Sequence, residues 1–188
     1  MKKSIVLLGA VLVVLAVAFA LNPVPARAAG TLDACTLLTK AEAEALFNQA
    51  SASHKAGKVS APAGNICTYF FKKKGGTYSV KLRVSSSDEI KSEGIFSSAK
   101  DVFDRQKKAR MANAATAQKM RSIGGLGDEA FWNGHDLWIL KGRYLFTILA
   151  QDQLAGSFKS KEAMEKARAE QDFNLSQRAA SKILGKMN

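Results

Sequence analysis

Two apolar strings in the carboxyl-terminal half set the strictest condition on the fold. Leu137-Trp138-Ile139-Leu140 and Leu145-Phe146-Thr147-Ile148-Leu149 are too short for helices and flank the turn sequence Lys141-Gly142-Arg143. A strand with one wet face alternates apolar and polar residues. These two do not, so the sheet that holds them must be covered on both sides. Glu129-Ala130-Phe131-Trp132, followed by the turn pair Asn133-Gly134, adds a third strand and makes a meander. The second face is covered either by the carboxy-terminal helical region or by a ligand or partner. In that region Leu175, Ala179, Ile183 and Leu184 form a stripe after an Asn174-to-Gln177 capping box.

Toward the amino terminus the periods change. Thr39-Lys40-Ala41-Glu42 has the form of a capping box, and Ala43, Leu46 and Phe47 continue at helical spacing, which predicts a helix over 40–48. Residues 49–65 are small and polar, with Gly57, Pro62 and Gly64, and read as a loop or one short edge strand around Val59. Cys67-Thr68-Tyr69-Phe70-Phe71, the turn Lys72-Lys73-Lys74-Gly75-Gly76 and Tyr78-Ser79-Val80-Lys81-Leu82-Arg83-Val84 form a hairpin. In its second strand Tyr78, Val80, Leu82 and Val84 share one face, and Ser79, Lys81 and Arg83 share a wet one. Between 87 and about 115 the period is helical, with Ile95, Ala99, Val102, Phe103, Gln106 and Ala109 near one stripe, and the helix is expected to start after Gly94. Helix, hairpin, helix, meander, helix predicts a single α+β domain whose sheet is mostly antiparallel, a hairpin plus a three-strand meander packed with helices.

The 188 residues are 47% hydrophobic and 23% charged, an ordinary globular composition. The first 28 stand apart. Lys2 and Lys3, an apolar run over 5–21, Pro23, Pro25 and Ala26-Arg27-Ala28 have the layout of a secretory signal peptide. The run is long for a signal core and short for a membrane span, so an uncleaved anchor is the rival reading. Cleavage after Ala28 would leave 29–188 as one exported domain, located in the periplasm or cell envelope or secreted, with no second apolar run long enough to span a bilayer. In an oxidising compartment Cys35 and Cys67 read as a disulfide. A reactive thiol would want Cys-x-x-Cys spacing or a neighbouring His, and neither is present. Leu32-Asp33-Ala34-Cys35 imitates a lipobox only loosely, because the apolar run ends well before it and Asp33 stands where a small neutral residue is wanted.

Three strings occur together: Asp33-Ala34-Cys35-Thr36-Leu37-Leu38-Thr39 with Glu42, Cys67-Thr68-Tyr69, and Ile123-Gly124-Gly125-Leu126-Gly127-Asp128-Glu129-Ala130-Phe131. Their order and spacing resemble small exported bacterial cell-envelope domains of unknown function, best known as envelope lipoproteins of actinobacteria. The likeness spans most of 31–150. It implies that the two cysteines pair and that the Gly-Leu-Gly-Asp-Glu-Ala string leads into the meander. It brings no catalytic residues, and the missing lipobox departs from the lipoprotein pattern.

Few side chains offer catalysis. Two His and two Cys make no recognisable metal set, and no cofactor is expected. His54 lies in the small-residue segment and His135 beside Asp136 in a hairpin turn, so an enzyme would need a pocket that unites one of them with carboxylates. Gly124-Gly125-Leu126-Gly127 neither ends in Gly-Lys-Ser/Thr nor leads from a strand into a helix, which argues against a nucleotide loop. Its glycines should instead permit close approach to the sheet. Asp128 and Glu129 are adjacent and point to opposite faces of a strand.

Charge is the remaining signal. Lys and Arg number 28 against 16 Asp and Glu; the leader holds three of the bases and no acid, so the domain keeps +9. Lys100, Arg105, Lys107, Lys108, Arg110, Lys119 and Arg121, opposed only by Asp101 and Asp104, concentrate +5 of this in one stretch. These seven are the candidate contacts to an anionic surface, and a solvated helix face is the plainer alternative. The expected function is a non-catalytic binding domain for an envelope protein partner or an anionic envelope polymer. The alternative is a carrier of a small apolar ligand under the meander, and export disfavours specific nucleic-acid recognition.

Overall fold

The computed structural model describes residues 32–187, so the reading of residues 1–28 as a signal peptide lies outside the described residues. Helix α1 (Ala34–Leu37) is capped by Asp33, whose carboxylate accepts from the Thr36 N–H at 2.8 Å. Helix α2 (Lys40–Phe47) opens on the expected capping box between Thr39 and Glu42 and closes at Asn48 in the left-handed region, φ 49°. Seven strands follow: β1 (Ser53–Val59), β2 (Gly64–Lys73), β3 (Gly76–Ser86), β4 (Arg121–Ile123), β5 (Glu129–Trp132), β6 (Leu137–Lys141) and β7 (Tyr144–Gln151). They form one antiparallel sheet in the order β1-β2-β3-β7-β6-β5-β4. The remaining helices are α3 (Ser87–Ser92), α4 (Ala99–Met111), α5 (Ala114–Ala117) and α6 (Lys161–Gly185).

The domain is therefore α+β, with a larger sheet than a hairpin and a three-strand meander. β3 pairs with β7, which merges the two units, and β1 and β4 extend the edges. The helix expected after Gly94 is really a series of short ones. Ser86 and Glu89 make a second capping box that starts α3 before Gly94, and Ser98 caps α4 anew. Ile95 falls in the connection between them and is 57% exposed, so it leaves the stripe that Ala99, Val102 and Phe103 keep, and Ala109 is exposed as well. At the carboxyl end Ser160 caps α6, which places Asn174 and Gln177 inside that helix rather than at its start. An unbroken run of good helix formers from Lys161 lets the earlier cap act.

Strand parity separates two cores. On the inner face Cys67, Leu82, Ile148, Leu137 and Trp132 lie in one cross-strand row, and Val84, Phe146, Ile139 and Ala130 in the next. Helices α1, α2 and α6 cover this face, with Leu38, Phe47, Phe173, Leu175, Ala179 and Ile183 buried against it. On the outer face Phe131, Trp138, Leu140 and Leu145 pack under Ile90 of α3 and Ala99, Val102 and Phe103 of α4. Both faces of the meander are thus covered by this chain's own helices, and the apolar-carrier reading loses the open face on which it was built. The outer face of β1–β3 stays partly open, with Ile66, Thr68, Phe70, Lys81 and Arg83 half-buried, as the alternation in β3 requires.

Two ties hold the amino-terminal helices to the inner layer. The Cys35–Cys67 disulfide joins α1 to β2 with an S–S distance of 2.03 Å. Just past α6, the Lys186 Nζ donates to the Leu37 carbonyl at 2.9 Å and to the Glu42 carboxylate at 2.6 Å.

In the glycine string, Gly127 has φ +65°, and a Cβ there would run into the carbonyl oxygen of Leu140. The close approach lets the Asp128 N–H donate to that carbonyl at 2.8 Å while the Asp128 carboxylate accepts from the Gly142 N–H. Gly127→Ala should therefore cost about 1–2 kcal/mol of stability. Gly124→Ala, where a Cβ meets nothing within 4 Å, should cost less than half as much in the same chemical denaturation assay. Equal losses would remove the packing role assigned to Gly127.

Candidate functional site

The seven bases singled out in the sequence divide between two places. Lys100, Arg105, Lys107, Lys108 and Arg110 are on α4, whereas Lys119 follows α5 and Arg121 opens β4. On α4 most of the charge is already answered. Lys100 pairs with Asp104 at 2.6 Å and with Glu129 at 3.1 Å, Arg105 with Asp101 at 2.7 Å, and Lys107 with Glu129 at 3.8 Å. These pairs are exposed or half-exposed, and each adds little to stability. Arg110 lays its guanidinium 5.7 Å from the centre of the Trp138 ring, a cation–π contact that anchors the end of α4 to the outer face. Lys108 has no ion pair among the described residues. The last turn of α4 is thus the more open part of the helical charge, next to Met111, which is 60% exposed.

Lys119 and Arg121 belong to a different feature, a cleft of about 550 Å³ between the amino-terminal half of α6 and the β4–β6 end of the sheet. Arg121 pairs across it with Glu170 of α6 at 2.7 Å. Its wall also holds His135, Trp132, Glu162, Glu165, Arg168 and Asp172. Asp172 is 6% exposed, and its Oδ1 has no hydrogen-bond partner among the described residues; the Oγ of Ser176, one turn on, is in the same position. Burial pushes the Asp172 carboxyl up to about 6, against the opposing pull of Arg168, the Asp152 backbone amide and His135.

The β5–β6 turn brings His135 here. Its geometry comes from Asn133, whose side-chain oxygen accepts from the N–H groups of His135 at 2.8 Å and Asp136 at 2.7 Å. The ring Nδ1 lies 3.1 Å from an Asp136 oxygen. His135 therefore does share a cleft with carboxylates, a juxtaposition that no local string announces. His54 does not: it is exposed on the edge strand β1, with its ring 5.8 Å from that of Tyr69. Among the described residues no group of three or more His, Cys, Asp or Glu is arranged to hold a metal ion, and no helix is long and apolar enough to cross a membrane.

These features define a class by architecture: a disulfide-tied α+β domain in which one seven-stranded antiparallel sheet carries helices on both faces. No family model, curated protein or solved structure matches the chain.

Proposed function

We propose that the protein is an exported, non-catalytic binding domain of the periplasm or cell envelope, which engages an acidic partner or an anionic envelope surface through electrostatic attraction. One observation carries this reading. The carboxyl-terminal end of α4 carries Lys107, Lys108 and Arg110 beside an exposed Met111, with Lys108 exposed and the other two half-buried, and Glu129 is the acid paired with any of the three among the described residues. Cations that outnumber their acids in this way raise the local concentration of anions and lose that effect as salt rises, within a Debye length of about 8–10 Å. The disulfide supports export, because such bonds persist in oxidising compartments.

The charge-reversal variant K107E/K108E/R110E should release the protein from the envelope fraction at a salt concentration where the wild type is retained. It should also flatten the salt dependence of retention. Association that is unchanged in both respects would remove the α4 version of this function.

A further inference from the structure

Between Glu44 and Asp88 the chain carries seven bases, Lys55, Lys58, Lys72, Lys73, Lys74, Lys81 and Arg83, and no acid. This stretch builds β1, β2 and β3. Among the described residues only Lys73 of the seven has an ion pair, with Asp152 at 2.7 Å. Register decides where the rest point. Lys55 and Lys81 flank Thr68 in one cross-strand row, and Arg83 stands in the next, beside Ile66. All three bases share the outer face, as does Lys72, which has the parity of Thr68 and Phe70.

The row of Arg83 continues through Thr147 to Trp138, over which Arg110 lies. At the usual strand spacing Arg83 and Trp138 are about 10 Å apart. This row holds a surplus of donors. Arg83 Nε and Nη2, Arg110 Nε and Trp138 Nε1 are buried and without an acceptor among the described residues, so the Arg83 charge stays unanswered from below. The exposed Lys55 and Lys72 and the half-buried Lys81 are the cations within a partner's reach. The nearby Glu93 is already engaged, accepting from the N–H groups of Ala61 and Ala63 at 2.8 and 2.6 Å. A partner that supplies several carboxylates would complement this face.

The shape narrows the partner. α4 covers the β6–β7 part of this face and stands about a helix diameter, ~10 Å, above the sheet, so a flat bilayer cannot settle on the recessed strands beside it. A chain can lie in that trough. The half-buried Ile66 and Phe70 stand among the cations, and a polymer bearing only phosphates or sugar acids offers them nothing. A peptide with apolar side chains among its acids does.

We propose that the open outer face of β1–β3, in the trough beside α4, binds an extended acidic peptide segment of a partner protein that carries apolar side chains among its carboxylates. The inference rests on the electrostatic reading above and adds to it a second basic surface, apart from the end of α4.

The test is fluorescence anisotropy of a labelled Glu/Leu peptide with the purified protein at low ionic strength. K81Q/R83Q should weaken binding at least tenfold, and K55Q/K81Q, on lysines without ion pairs, should weaken it severalfold if R83Q compromises folding. K107E/K108E, which leaves Arg110 in place, should stay within twofold of wild type. Wild-type affinity in both sheet variants would overturn the inference and leave the α4 reading standing. Equal loss in the α4 variant would return the contact to the helix. Equally good competition by polyglutamate or polyphosphate, or co-sedimentation with phosphatidylglycerol vesicles that depends on Lys81 and Arg83, would overturn the choice of occupant. If nothing acidic binds the wild type at all, both readings fall together.

Discussion

Replacing Cys35 and Cys67 together by alanine should lower the unfolding free energy by about 3–4 kcal/mol, the value that loop-closure entropy assigns to a bond spanning a sequence separation of 32. That is a large share of the 5–15 kcal/mol typical of a whole domain. The bond matters here because α1 has four residues and cannot persist by itself. Its cover over Cys67, Leu82 and the inner row depends on attachment. Urea unfolding of the variant should show a lower midpoint and a larger m value, since the freed denatured chain exposes more surface. A loss below about 1 kcal/mol would mean that the packing of Leu37, Leu38 and Phe47 and the Lys186 hydrogen bonds already hold these helices.

Asp172→Asn should have the opposite sign and stabilise the domain by about 2 kcal/mol at pH 7.5. The folded carboxyl titrates at about 6 and the ordinary value is 3.8, so ionising it in the fold costs about 3 kcal/mol relative to the unfolded chain, less what a buried amide loses for want of partners. The direction with pH follows from linkage. A raised folded pKa stabilises the fold fully below 3.8, and this contribution is lost as pH rises through about 6. Wild type should therefore gain about 1 kcal/mol between pH 7 and pH 5, while Asp172→Asn should change much less. Below that window Glu42, Glu44 and Asp101, whose folded pKa values are lowered, reverse the trend as they protonate. Thermal melts of both proteins from pH 5 to pH 8 decide the matter. Parallel curves would show that Asp172 is solvated or already partnered.

The distribution of legible and illegible features follows from how far each contact reaches. The Thr39–Glu42 capping box, the one-sided apolar pattern of β3 and the two-sided β6 and β7 are set by residues within a turn or a strand, and all stand in the structure where the periods put them. Ile95 leaves its stripe because a period of 3.6 residues cannot show that Gly94, at φ +74°, and the Ser98 cap reset the phase between α3 and α4. The acid-free run from residue 45 to residue 87 is plain in the sequence, but its meaning waits on register, which turns Lys55, Lys81 and Arg83 to one side.

By itself the amino-acid sequence determined the kinds of element, the single pair of cysteines able to join, the wet face of β3 and the need to cover the meander twice. Tertiary structure alone decided that β3 lies beside β7, that α4 and α6 take opposite faces, that acids from β5 and α6 answer Lys100, Lys107 and Arg121, and that His135 meets Asp172 across a cleft. The division is physical. Backbone preference and side-chain periodicity act over a few residues and leave a local signature, whereas strand pairing, ion pairing and burial of a carboxyl depend on groups brought together from distant parts of the chain.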